Sequence, residues 1–246
     1  MRTAGVDLAS QNKKTAACVI DWSDRGATVV ELSTGVDDDL ILRLLGEVDK
    51  LGIDVPLGWP IAFAQAMGRH SMDHTWPTDY RHATNEGYRL RRTDLKVRDE
   101  LKMSPLSVSA DRIAIPAMRA AAVLSRVPHA VARDGSGVVV EVYPAAALSR
   151  WGLRSRKYKH KENADHRREL VGGVLISAPW LSIDGDFVDL CSGSDDALDA
   201  VVAALVARAA ALGFVDEIPP EELTSARREG WIALPIEGSL SRLVVG

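Results

Sequence analysis

Acidic side chains stand inside several of the apolar runs that would build the core of this chain. Asp7 lies within the run at residues 4–9, and Glu141 lies within the run at residues 138–143. Asp54 is enclosed by an isoleucine and a valine in the same way. Carboxylates are rarely buried without a partner. Acids on several separate core segments therefore predict a cation that they share.

The last apolar helix adds three more acids at its start. At 100° per residue, Asp195 and Asp199 lie one turn apart on nearly the same side of the helix. That side borders the buried face. Asp196 points about 100° away from Asp195. A simpler interpretation is that Ser194 caps the helix and that acids in its first turn favour the helix dipole. That interpretation accounts for Asp195 and Asp196 better than for Asp199.

The other acids also have structural alternatives. Asp54 can be a turn residue before Val55 and Pro56, and Glu141 can pair with an arginine. Two unit charges 4 Å apart interact by about 4 kcal/mol at an effective dielectric constant of 20. Converging carboxylates must therefore be relieved by protonation or by a hard cation. Since no Cys or His ligand pattern accompanies them, the donor set predicts Mg²⁺ or Mn²⁺ rather than Zn²⁺.

The apolar periodicity predicts an α/β domain. Five strands are predicted, at residues 3–9, 14–22, 27–33, 53–55 and 138–143. An amphipathic helix at residues 37–51 makes a right-handed crossover, so the fourth strand lies parallel to the first. Since ligands bind near the carboxyl ends of parallel strands, Asp7 and Asp54 are expected to lie close together.

Two segments lie outside this predicted sheet. Residues 57–135 are predicted to form a helical insertion after strand four, with the firmest helix at residues 112–127. Residues 214–246 form a C-terminal extension with an expected edge strand at residues 231–234.

Composition narrows the classes of function. The chain has 246 residues, an apolar fraction of 46% and a formal net charge of −4, which gives no global attraction to nucleic acid or to anionic membranes. Basic residues nevertheless cluster at residues 150–168, where eight Lys or Arg and two acids give +6. The longest apolar stretch, residues 197–212, contains an aspartate and an arginine, so it is not a membrane span. With no signal-peptide pattern at the N-terminus, a cytoplasmic protein is expected.

Six stretches in order along the chain resemble the RNase H-like superfamily, and more closely domain-of-unknown-function family 429, whose members are described as predicted nucleases. These matching stretches are residues 5–9, 53–58, 92–98, 140–144, 158–159 and 195–200. The resemblance implies a five-stranded mixed sheet flanked by helices, with acids on strands one and four and on the last helix. RuvC-type resolvases carry a D-x-x-D pair on that helix, which Asp196 and Asp199 match, in contrast to the azimuth argument for Asp195.

The resemblance further implies two-metal hydrolysis of phosphodiester bonds, with Mg²⁺ or Mn²⁺ activating a water and stabilising the leaving oxygen. Asp7 would bridge the ions, and Asp54 and Asp199 would each hold one. The residues expected to act in catalysis or metal binding are Asp7, Asp54, Glu141, Asp195, Asp196 and Asp199. The residues expected to contact substrate are Arg92, Asp94, Arg98 and Lys159, although solvated surface charge is the simpler explanation of Arg98 or Lys159 taken singly.

Two rival functions stay open. Actin-like phosphotransferases and ATPases share the strand-one aspartate and this sheet topology, but they bind nucleotide between two copies of the fold, and the chain has no second copy. A non-catalytic binding protein on the same scaffold is the other rival. The expected partner is a nucleic acid or nucleotide and not a membrane, and homo-oligomerisation is left open.

Overall fold

A mixed six-stranded sheet forms the centre of the protein. The computed structural model describes residues 1–78 and 85–244. Its strands are β1 Arg2–Asp7, β2 Ala16–Ser23, β3 Gly26–Thr34, β4 Lys50–Asp54, β5 Val139–Glu141 and β6 Leu181–Ser182, in the spatial order β5-β4-β1-β2-β3-β6. β2 is antiparallel to both β1 and β3, and the remaining neighbours are parallel. The α/β class is therefore confirmed.

The prediction of five strands was wrong by one. β6 has only two residues, Leu181 and Ser182, and pairs in parallel with Ala27 and Thr28 at the outer edge of β3. A strand this short has no alternation of apolar and polar residues for periodicity to detect. The expected edge strand at residues 231–234 is reduced to an isolated bridge between Ile232 and Glu141.

Helices cover both faces of the sheet. In the described ranges the α-helices are α1 Asp38–Glu47, α2 Ile61–Asp73, α3 Glu86–Arg89, α4 Arg92–Leu101, α5 Ala114–Leu124, α6 Pro144–Arg150, α7 Ala164–Ser177, α8 Gly185–Gly193, α9 Asp195–Ala211 and α10 Leu223–Glu229. Between residues 57 and 135, the described part contains α2 to α5 and no strand. None of the helices in residues 1–78 and 85–244 has both the length and the hydropathy to cross a membrane.

The first helix is shorter than its pattern predicted. Asp37 caps α1 by accepting a hydrogen bond from the Leu40 amide at 2.9 Å, as the sequence suggests for an N-cap aspartate. The predicted helix ran to residue 51, but Lys50 and Leu51 belong to β4, where they pair with Thr3 and Ala4. Pairing with β1 therefore overrides the helical periodicity at this end.

The last helix lies unusually close to the sheet because two strand glycines face it. A β-carbon on Gly5 would lie 2.1 Å from the carbonyl oxygen of Ala200 and 2.2 Å from the amide nitrogen of Ala204, and one on Gly52 would lie 2.3 Å from the carbonyl oxygen of Ala203. β1 and α9 run in opposite directions, because Thr3 donates a hydrogen bond to the Ala204 carbonyl oxygen whereas Gly5, two residues later, faces Ala200. The start of α9 is consequently held at the carboxyl end of β1, where the acids lie.

Candidate functional site

Asp7 and Asp54 end two neighbouring strands and are partners in their parallel register. Each follows a glycine by two residues, so each points to the same face of the sheet as Gly5 and Gly52, which is the face that α9 covers. Parallel strands lie about 4.8 Å apart. Both residues are largely enclosed by protein and keep some exposure to solvent. The predicted proximity of these two acids is thus present in the register.

Asp199 brings a third carboxylate from the second turn of α9, and this residue is fully buried. Its Oδ1 accepts a hydrogen bond from the Tyr158 hydroxyl at 2.8 Å. Its Oδ2 lies 2.7 Å from the Lys159 ammonium, but the contact lacks hydrogen-bond geometry, and Oδ2 accepts no hydrogen bond from the described residues. One oxygen of a buried carboxylate is therefore held only by an ion contact.

The charges of these groups influence one another. Burial, followed by repulsion from Asp54 and Asp199, raises the pKa of Asp7 well above its usual range. Burial also raises the pKa of Asp54 to about 7, with Lys159 opposing the shift and Asp199 adding to it. Burial opposes the charged form of Lys159, but attraction to Asp199, Tyr158, Asp54 and Asp7 outweighs it and raises the pKa of the ammonium. The cluster therefore favours a cation.

The two acids that open α9 lie on different sides of the cluster. The Asp195 carboxylate accepts a hydrogen bond from the His160 amide at 3.3 Å, on the side of the loop that carries Lys159. Asp196 acts on the pKa of Asp7, and Asp199 in turn contributes to the raised pKa of Asp196, after burial and Asp195. Residues three apart on a helix are neighbours, so Asp196 lies beside Asp199, and its Oδ2 is 4.0 Å from the Lys14 ammonium.

A metal ion is not enclosed by the side chains as they stand. Among the described residues, no three His, Cys, Asp or Glu side chains are arranged to hold one. The donor chemistry nevertheless suits a hard divalent cation, since Asp7, Asp54 and Asp199 offer only carboxylate oxygens and Oδ2 of Asp199 has no hydrogen bond. Holding an ion would require these carboxylates to turn toward a common point.

The loop that carries Tyr158 and Lys159 is fixed by a buried arginine. Arg167, from α7, is 1% exposed. Its guanidinium donates four hydrogen bonds of 2.8 to 3.0 Å, to the carbonyl oxygens of Tyr158, His160, Ser192 and Gly193. The residues on either side of the pair, Lys157 and His160, have positive φ angles of 57° and 72°. Such conformations persist only where the surroundings impose them, and Arg167 supplies that constraint.

Glu141 is engaged elsewhere, in the alternative arrangement that the sequence left open. Its two oxygens pair with the Arg91 guanidinium at 2.6 and 2.8 Å, and Oε2 also accepts a hydrogen bond from the Leu57 amide. Asp94 shares the same guanidinium, at 2.9 Å. All three charged side chains are 2% exposed. Glu141 and Asp94 therefore form a buried ion network with Arg91, and this network borders Asp54, whose pKa the charge of Glu141 helps to raise.

Two of the expected substrate contacts lie outside this region. Arg92 pairs with Glu222, and Arg98 pairs with Glu86 and Asp99. These ion pairs are partly exposed to solvent, and for Arg98 this is the surface role that the sequence left open. Of the four expected contact residues, Lys159 alone reaches the aspartates.

A cleft of about 460 Å³ opens beside Asp54 and Lys159. Residues that sequence reasoning missed line it, among them Arg112, Tyr143 and Arg156. The basic composition of residues 150–168 signalled Arg156, whereas Arg112 is an isolated cation at the start of a helix and no local pattern marks it. The cleft joins the insertion to the sheet, so its lining depends on contacts between distant segments.

Comparisons with known proteins identify one family that the chain matches. No curated protein matches the chain, and no solved structure does. The profile of a family described as a protein of unknown function, DUF429, matches residues 5–224. That range includes the last three residues of β1, the other five strands and the three converging aspartates. Because the match covers most of its length, the chain belongs to the DUF429 family.

Proposed function

We propose that this protein is a Mg²⁺- or Mn²⁺-dependent phosphodiester hydrolase, a nuclease built on an RNase H-like sheet. The observation that carries the proposal is the convergence of Asp7, Asp54 and Asp199 from two parallel strands and the helix that covers them. Open α/β sheets bind ligands at the carboxyl ends of their parallel strands, which is where these acids lie. Their mutual repulsion is the kind that a bound divalent ion relieves.

The supporting residues suit this chemistry. A bound ion would supply a Lewis acid and an activated water. Tyr158 orients Asp199 through its hydroxyl hydrogen bond, and Arg167 holds the loop from which Lys159 extends. The Lys159 ammonium, whose side chain is 44% exposed, is positioned to contact an anionic oxygen of a substrate at the cluster. The positive charge would stabilise negative charge that develops during hydrolysis.

The Lys159–Asp199 contact also favours a second candidate, a metal-independent binding protein on the same scaffold. Lys159 already supplies a positive charge to the acids, and no three of the described His, Cys, Asp or Glu side chains are arranged around a metal position. In that case the cluster would be structural, and divalent ions would change neither the stability of the protein nor any activity.

The decisive experiment measures cleavage of labelled DNA and RNA oligonucleotides, single-stranded and duplex, by the purified chain with Mn²⁺, with Mg²⁺ and with EDTA. We expect cleavage only with a divalent ion. We expect Asp7→Asn to reduce it by at least about a hundredfold while leaving the circular dichroism spectrum unchanged. Asp24→Asn is the matched control, because Asp24 is an exposed aspartate of the β2–β3 turn. Cleavage by Asp7→Asn at the wild-type rate would contradict the proposal.

A further inference from the structure

The cleft beside Asp54 is lined by side chains of two chemical kinds. Its apolar wall consists of Pro105, Leu106 and Ile113, and Leu106 is 44% exposed although it is a large aliphatic residue. Its basic wall consists of Arg112, Arg156, Lys157 and Lys159, and it adjoins the apolar wall because Arg112 directly precedes Ile113. A surface of this kind suits a ligand that has an apolar, flat part and an anionic part.

Three of the four cations on the basic wall have no acidic partner. In the described structure, the Arg112 and Lys157 side chains make no hydrogen bond or ion pair, and Arg156 donates a single hydrogen bond, to the Lys102 carbonyl oxygen at 3.2 Å. Lys159 is instead paired with Asp199.

The acids that line the cleft do not neutralise this wall. Asp94 and Glu141 are both bound by Arg91, which leaves Asp54 as the remaining acid there. Three cations without an acidic partner therefore gather at a single concave surface, and this concentration of unneutralised positive charge indicates an anionic ligand.

We infer that this cleft binds a nucleoside that carries a terminal phosphate. This inference rests on the proposed function, from which it takes a nucleic acid or nucleotide as the ligand, and it adds that the phosphate bound in the cleft is a terminal one. A phosphomonoester carries a charge of about −1.5 to −2 at neutral pH, which three unpaired cations balance better than the single charge of an internal phosphodiester. Arg112 and Arg156 contact the terminal phosphate, since arginine offers paired donors to phosphate oxygens.

The volume of the cleft limits the size of the ligand. A volume of about 460 Å³ falls within the range of small-molecule sites and accommodates a nucleotide, whereas a paired duplex would have to remain outside. The base lies on the apolar wall near Leu106 and Ile113. The reactive linkage of a strand end then faces Asp54 and Lys159, which border the same cleft. The ligand is either a free nucleotide or the unpaired, phosphorylated end of a strand.

Binding measured in EDTA tests the inference without cleavage. Isothermal titration calorimetry compares adenosine monophosphate, adenosine, a single-stranded octanucleotide with a 5′-phosphate, the same strand with a 5′-hydroxyl, a strand with a 3′-phosphate, and the blunt duplex. We expect a terminal phosphate to improve affinity by at least about tenfold over its dephosphorylated counterpart, and the duplex to bind more weakly than the strand. If adenosine monophosphate binds as tightly as the phosphorylated strands, the ligand is a free nucleotide. If the strand with a 5′-phosphate or the strand with a 3′-phosphate binds more tightly than the monophosphate, the ligand is that end of a strand.

Matched variants assign the effect to the cleft. Arg112→Gln and Arg156→Gln should each weaken binding of the phosphorylated ligand by about tenfold. Arg154→Gln should not weaken it. This substitution removes the same charge from the same basic segment, but Arg154 pairs with Glu169 outside the cleft. Equal losses in all three variants, or no preference for a terminal phosphate, would overturn the inference even if the protein cleaves nucleic acid. Phosphate-dependent binding without metal-dependent cleavage would support it and refute the proposed function instead.

Discussion

The Lys159 ammonium lies 2.7 Å from Oδ2 of Asp199, in contact with the most deeply buried of the three converging carboxylates. This pair decides how the site can respond to a divalent ion. A metal and an ammonium compete for the same negative charge, so binding of an ion to Asp199 must displace or share Lys159. The lysine can leave because nearly half of its side chain is exposed, whereas Asp199 is held by Tyr158.

Removing that ammonium should separate metal binding from catalysis. We expect Lys159→Gln to bind Mn²⁺ about tenfold more tightly, because the competing positive charge is gone. We expect its cleavage rate at saturating Mn²⁺ to fall about a hundredfold, because a cation that stabilises developing charge is lost. Calorimetry with Mn²⁺ and the oligonucleotide assay measure the two effects. Lys161→Gln, an exposed lysine nearby, is the control, and weaker Mn²⁺ binding by Lys159→Gln would rule out competition.

The pKa of Asp54 predicts how stability depends on pH in the metal-free protein. Its pKa is about 7 in the folded chain against an ordinary value of 3.8, with burial as the main cause. The folded state therefore holds a proton that the unfolded state releases, so this group lowers the free energy of unfolding as pH rises from about 4 to about 7. Below pH 4 the group contributes no such loss, and above pH 7 the loss is complete.

Urea denaturation in EDTA at pH 5 and pH 8 measures this loss. Asp54→Asn should show a smaller decrease in the free energy of unfolding than the wild-type protein, by an amount on the order of 2 kcal/mol. Asp24→Asn should follow the wild-type protein, because Asp24 is exposed in a turn. Identical decreases in wild-type protein and Asp54→Asn would show that Asp54 does not titrate in this range.

The sequence predicts those parts of this site that follow from local patterns, and it does not predict contacts between residues far apart in the chain. The parallel pairing that aligns Asp7 with Asp54 follows from a helix between two apolar strands, which is a local pattern, and the register confirms it. The ion pair of Glu141 with Arg91 joins residues 50 positions apart, and no spacing rule identifies such a partner. The sequence could therefore offer that pairing only as an alternative.

The helix start shows a second limit of pattern reasoning. An ideal helical wheel ranks Asp195 above Asp196 because it measures azimuth relative to a buried stripe. The wheel does not account for the groups beyond the helix, where Asp195 accepts a hydrogen bond from the His160 amide and Asp196 contributes to the raised pKa of Asp7. The loop of Tyr158 was beyond prediction for a related reason, since its shape depends on Arg167.

The close approach of α9 to the sheet leaves no room for a side chain at Gly5. The side chain of Gly5→Ala would lie 2.1 Å from the Ala200 carbonyl oxygen and 2.2 Å from the Ala204 amide nitrogen, and backbone atoms of a packed helix cannot yield as a side-chain end can. We expect a loss of about 3 kcal/mol or more in the free energy of unfolding. The displaced helix would also move Asp199 away from Asp7.

Gly46→Ala is the control for this prediction. Gly46 lies in α1, and a β-carbon there would meet no atom within 4 Å, so alanine should leave stability unchanged or raise it by about 0.5–1 kcal/mol. Urea denaturation of both variants tests the pair. Equal stabilities of Gly5→Ala and the wild-type protein would mean that α9 packs further from the sheet than the structure places it.

The clamp of Arg167 on the loop predicts where local order should be lost when that arginine is removed. Arg167→Met keeps much of the side-chain volume but leaves the carbonyl oxygens of Tyr158, His160, Ser192 and Gly193 without their donor. Buried acceptors without partners cost about 1–3 kcal/mol each, so we expect a loss of at least about 3 kcal/mol in stability. Hydrogen exchange should accelerate at the amides of residues 158–160, and Mn²⁺-dependent cleavage should fall as well.

Arg168→Met is the control, because Arg168 is an exposed neighbour that pairs with Asp165. It should change stability by less than about 0.5 kcal/mol. Unchanged exchange at residues 158–160 in Arg167→Met would mean that another contact holds Lys159 beside Asp199.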